Sequence, residues 1–99
     1  MPQTWKISID EAPGQPGVFN PSSLTVAAGD LIFWSNDTSD AHWPAPAGQP
    51  EDTWFSYQIP GKLPDQPAPA SPQISFPSAT QVNYVCALHP QMTGVIIVT

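Results

Sequence analysis

A chain of 99 residues has room for one domain around one core. Its net charge of −6, with Lys6 and Lys62 as the only Lys or Arg residues, excludes nucleic acid and anionic membrane surfaces as natural targets. No stretch approaches the ~20 apolar residues that span a bilayer, and no basic segment precedes an apolar run, so there is no secretory signal in the chain. Met1-Pro2 reads as an initiator set before a mature domain, so that any original leader would be absent from this chain. Charged residues make up only 10%, so much of the surface is neutral. Such a surface suits brief, weakly polar contacts with partner proteins, or is simply bland.

Helical signals are nearly absent. Fourteen prolines are scattered along the chain, and no apolar spacing of three and four persists for two turns. Trp5, Ile7 and Ile9 alternate with Lys6 and Ser8, which predicts an N-terminal strand with one apolar face. Asn20-Pro21-Ser22 makes a turn before a strand at Leu24-Thr25-Val26, and Ala28-Gly29-Asp30 makes another before Leu31-Ile32-Phe33-Trp34. Asp30 and Asn36 read as turn residues, and Phe33 and Trp34 as core.

Residues 44–72 break this rhythm. Eight prolines, from Pro44 to Pro72, forbid long regular structure, and the segment reads as a stiff, extended surface loop. Trp54-Phe55-Ser56-Tyr57 is its one candidate strand, at a sheet edge. Beyond it, Ile74-Ser75-Phe76 and Val82-Asn83-Tyr84-Val85-Cys86 flank the connection Pro77-Ser78-Ala79-Thr80. Val95-Ile96-Ile97-Val98 is apolar on both faces, as a central strand would be. Short strands divided by turn residues at this spacing predict an all-β, antiparallel β-sandwich over residues 1–99.

The soft metal-ligand atoms of the chain fall into one pattern: His42, then Cys86-Ala87-Leu88-His89-Pro90-Gln91-Met92. There is one cysteine, there are two histidines, and Met92 is the only methionine besides Met1. A lone cysteine also rules out an internal disulfide and a binuclear copper centre. Taken singly, Cys86 is ordinarily a small buried hydrophobe, Met92 a core filler and either histidine a loop residue. Taken together, a thiolate, two imidazoles and a thioether are what a mononuclear blue-copper site requires. Thiolate and thioether suit Cu(I), imidazole suits Cu(II), and a compromise held by rigid strands lets one electron come and go with little rearrangement. Cys86, His89 and Met92 share a tight loop between two strands, while His42 arrives from a separate connection after Leu31–Ser35. Tyr84, two residues before Cys86, faces the same side of its strand and is expected to pack beside the site.

The C-x-x-H-x-x-M loop, with Pro90 after His89, resembles that of the cupredoxins, and most of all the amicyanin and plastocyanin-like proteins. The segment Val26-Ala27-Ala28-Gly29-Asp30-Leu31-Ile32-Phe33-Trp34-Ser35-Asn36, followed by His42, is similar to the strand pair before that family's first histidine. The likeness covers residues 18–42 and 73–99 well and the proline-rich middle poorly. It implies a Greek-key β-sandwich with one type 1 copper ion held by His42, Cys86, His89 and Met92. It implies an electron carrier rather than an enzyme, a monomer that meets redox partners transiently near His89, and a periplasmic or otherwise extracytoplasmic location. The port expected around His89 is an apolar patch of Leu88, Pro90, Trp43 and Pro44, and Asp37, Asp40, Glu51 and Asp52 are available to steer a basic partner.

Two positions depart from the family pattern. Trp43 stands where Asn commonly follows the first histidine, so a side-chain tie is lost while the Trp43 N–H can still donate to the Cys86 sulfur. Leu88 stands where Pro commonly precedes the second histidine, and its N–H is expected to be a second donor to that sulfur, raising the reduction potential. The competing function is copper delivery or storage with the same four ligands. A nucleophile–base enzyme built on Cys86 and His89 lacks an orienting third residue and an oxyanion donor.

Overall fold

The computed structural model describes residues 2–99, which fold into two sheets without a helix. The strands are β1 (Thr4–Ala12), β2 (Gln15–Asn20), β3 (Ser23–Val26), β4 (Leu31–Asn36), β5 (Pro44–Pro46), β6 (Thr80–Cys86) and β7 (His89–Val98). One sheet has the order β2-β1-β4, the other β3-β7-β6-β5. The all-β sandwich is as expected, but both sheets are mixed. β1 and β2, β5 and β6, and β6 and β7 pair antiparallel, whereas β1 with β4 and β3 with β7 run parallel. Parallel pairing is possible because the chain crosses between sheets: it leaves the first after β2 and returns at β4, and leaves the second after β3 and returns at β5, crossovers that a simple hairpin meander lacks.

Alternation explains which faces meet. Ile7 and Ile9 of β1, Phe19 of β2 and Ile32 and Trp34 of β4 face Leu24, Val26, Tyr84, Cys86, Ile96 and Val98 of the opposite sheet in one core. β7 is the central strand that its apolar run predicts, lying between β3 and β6. Tyr84 crosses over its partner Gly94, and a Cβ there would fall within the tyrosine ring. That close approach lets Tyr84 reach both Phe19, at a ring-centroid distance of 4.7 Å, and Trp34, at 5.4 Å and near-perpendicular.

The proline-rich segment is more than a surface loop. Its Phe55 and Ile59 are core residues, and Trp54 stacks on Trp34 at 5.4 Å. Trp54–Tyr57 forms no strand, and the one regular piece is β5, paired to β6 through Pro44↔Cys86. Ile74–Phe76 likewise reduces to a single bridge, Ile74↔Ile32. With Ser35↔Ala70 and the Ser71 hydroxyl, which accepts the Trp34 N–H at 2.9 Å, this run covers the free edge of β4. Proline removes ladder donors, so the cover is made by isolated contacts instead of a strand.

Asp30 does more than turn the chain. Its carboxylate accepts the N–H groups of Gln3 and Ala27, each at 3.0 Å, and the Trp5 indole N–H at 2.9 Å. Those donors, Gln3 first, hold its carboxyl below the usual aspartate range.

Candidate metal centre

The β6–β7 register creates the site. Val85 pairs with Thr93, but the next residue, Cys86, pairs with His89, so Pro90, Gln91 and Met92 have no partner on β6. The expected tight loop is a two-residue turn at Ala87-Leu88 followed by a bulge inside β7, and bulges re-aim side chains. His42 comes from the connection after β4 and is locked by a two-way bridge to Ile59, with its N–H donating at 3.0 Å and its carbonyl accepting at 2.8 Å.

These two segments bring three donor atoms together. One ligand atom each from His42, Cys86 and His89 lies within 4.8 Å of the others. Both histidines turn Nδ1 to the Cys86 sulfur, each at 3.6 Å. Met92, 4% exposed, lies near this cluster. His42 and Cys86 are fully buried, whereas His89 is half-exposed. Burial, reinforced by His89, pushes His42 below its ordinary pKa and keeps its ring neutral, as a ligand must be. Two imidazole nitrogens, a thiol and a neighbouring thioether form a donor set that fits copper.

Backbone contacts tie the two segments. The Trp43 N–H points to the Cys86 sulfur at 3.3 Å, as expected, and the Trp43 carbonyl accepts the Ala87 N–H at 2.8 Å. The Trp43 indole N–H instead reaches the Phe55 carbonyl at 2.9 Å, pinning the first-histidine segment to the proline-rich run. Contrary to expectation, the hydrogen bonds at the sulfur come from Trp43 and the two histidines and not from the Leu88 N–H; Leu88 stands in the turn, 42% exposed. Pro44 is buried beside β6, paired with Cys86, and is not part of any exposed patch, while Leu88 and Pro90 are exposed and Trp43 lines a shallow depression with Leu88, Ala87 and Glu51.

Sequence reasoning did not find two residues beside His42. Thr38 places its hydroxyl 3.0 Å from Nε2. Gly17 of β2 has φ 154° and packs on the same ring edge, where a Cβ would stand 3.4 Å from Nε2 and 3.2 Å from the Asp10 carbonyl. Thr38, four residues before the first histidine, carries a faint sequence signal; Gly17 carries none, since only the sandwich brings β2 to this loop.

No protein-family description and no curated protein matches the chain. Solved structures do. The chain superposes on a purple cupredoxin from Nitrosopumilus maritimus with a TM-score of 0.70 at 20% identity, covering 95% of this chain and 98% of that one. It superposes on amicyanin from Paracoccus versutus with a TM-score of 0.71 at 23% identity, covering 97% and 81%. A mutant fern plastocyanin gives 0.67 at 19% identity, covering 95% and 99%. The fold is that of the cupredoxins.

Proposed function

We propose that this protein is a mononuclear type 1 copper protein that carries single electrons between partner proteins, with His42, Cys86, His89 and Met92 as the ligands. The observation that carries the reading is the convergence of Cys86 Sγ with Nδ1 of both histidines, on a cupredoxin fold. When bound, copper supplies a one-electron Cu(II)/Cu(I) change. The chain holds the donors on two tied segments, so that little has to move between the two states. Complete burial of His42 and Cys86 favours electron transfer over copper delivery, which needs ligands that a recipient can reach.

The route in and out is through His89, the half-exposed donor, flanked by exposed Leu88 and Pro90. Partner proteins dock there transiently, with exposed Asp37, Asp40, Glu51 and Asp52 favouring basic ones. One contiguous core supports a single domain, and the likeness to amicyanin and plastocyanin supports a monomer working in an extracytoplasmic compartment. No helix is long and apolar enough to cross a membrane.

Addition of Cu(II) to the apo protein is expected to give an intense visible thiolate-to-copper absorption, a narrow hyperfine splitting in electron-spin resonance, and reversible bleaching by a reductant. Cys86→Ser should abolish the band. A wild-type sample that stays colourless, or a coloured one that cannot be cycled, would defeat this reading.

A further inference from the structure

We propose that Thr38 is the positioning residue of His42: its hydroxyl accepts the Nε2 proton and thereby fixes the imidazole with a bare Nδ1 aimed at the Cys86 sulfur. The argument needs only heavy-atom positions and a count of protons. Thr38 Oγ1 has four neighbours: Asn36 Oδ1 at 2.8 Å, the Asp40 carbonyl at 3.0 Å, the Asp40 N–H at 3.3 Å and His42 Nε2 at 3.0 Å. Asn36 is itself oriented without ambiguity. Its amide nitrogen donates to the carbonyls of Asp40 (2.8 Å) and Pro60 (2.9 Å), so its oxygen is what faces Thr38, where it also accepts the Thr38 N–H at 3.0 Å.

A hydroxyl carries one proton. The Thr38 proton is claimed by one of two oxygens, Asn36 Oδ1 or the Asp40 carbonyl, neither of which can donate. None remains for His42, so the contact with Nε2 is made by a proton on the ring. A neutral imidazole protonated at Nε2 has its lone pair on Nδ1. Among the described residues, the Thr38 hydroxyl is the hydrogen-bond partner of Nε2, and no carbonyl competes for that proton. Thr38 and Asn36 are 1% and 0% exposed, so water does not compete for these bonds. Gly17 packs on the same ring edge, where a Cβ would stand 3.4 Å from Nε2.

The consequence for metal binding rests on the copper-site reading; the tautomer itself does not. Two measurements separate them. In the apo protein, nitrogen-15 correlation spectra of the imidazoles should show His42 as one tautomer, protonated at Nε2 with its proton resolved and correlated to the Thr38 methyl. A His42 protonated at Nδ1, or averaged between tautomers as free histidine is in water, would overturn the proposal. Next, Zn(II) serves as a redox-silent probe of the same donors. Thr38→Val, which keeps shape and removes the hydroxyl, should weaken Zn(II) binding roughly 10–100-fold, and Thr38→Ser should restore it. Unchanged affinity in a folded Thr38→Val protein would also overturn it. If Zn(II) and copper fail to bind the wild type, the copper reading falls while the tautomer measurement still decides the role of Thr38. That measurement also stands alone should Thr38→Val not fold.

Discussion

The Trp43 backbone holds both sides of the candidate site together: its N–H reaches the Cys86 sulfur at 3.3 Å, and its carbonyl accepts the N–H of Ala87, the residue after that cysteine, at 2.8 Å. Both bonds are main-chain on the Trp43 side, so they do not depend on which side chain follows His42. The indole is free to do something else, and it anchors Phe55.

Leu88→Pro should leave the reduction potential and the visible band of the copper-loaded protein essentially unchanged. A hydrogen bond to a charged acceptor contributes ~1.5–3 kcal/mol, so a lost donor would be easily read as a fall in potential. Cyclic voltammetry of both proteins checks this. A clear fall would mean that the Leu88 N–H does reach the sulfur.

Trp43→Phe removes the 2.9 Å bond to the Phe55 carbonyl and nothing from the sulfur. The expected loss is ~1 kcal/mol of folding stability with metal binding and colour retained. Urea unfolding of the apo protein, alongside the visible spectrum of the loaded one, gives both readouts. Loss of colour at full stability would contradict this division of labour.

Gly94→Ala should destabilise the fold by about 1–3 kcal/mol, because the new methyl group must displace the buried Tyr84 ring. Tyr84 has no room to yield, being packed against Phe19, Trp34 and Trp54. The paired change Gly94→Ala with Tyr84→Leu should recover part of the loss. A denaturant midpoint equal to wild type in the single variant would show that the ring moves freely.

Acid should weaken the fold in part through Asp30. Its folded pKa is depressed by the Gln3, Trp5 and Ala27 donors, so as pH falls the unfolded chain takes up this proton first. Its contribution is therefore present at neutral pH and is lost as pH drops through the depressed folded value. Asp30→Asn should melt lower than wild type at pH 7 and converge with it towards pH 3. Parallel melting-temperature profiles of the two apo proteins would show that Asp30 is not the titrating group.

Periodicity made the sandwich legible wherever one face is buried and the other is wet. β1 and β3 alternate cleanly, and β7 announces its central place by being apolar on both faces. β2 escaped because Gln15-Pro16-Gly17 masks the alternation, and β5 because it is built on two prolines. Asp30 and Asn36 read as turn residues from type alone, and nothing local tells how many donors each will gather.

For the candidate site, residue type and spacing by themselves singled out His42, Cys86, His89 and Met92, since a chain so poor in soft donors leaves no other set. What tertiary structure decided is the angle of each donor and its partners: the bulge at Pro90–Met92, Trp43 against the sulfur, Thr38 and Gly17 against His42. The reason is physical. Chemical identity is a property of a residue and survives unfolding, whereas a hydrogen bond between positions 43 and 86, or a glycine of β2 pressed on a ring 25 residues later, exists only once two sheets have closed on each other.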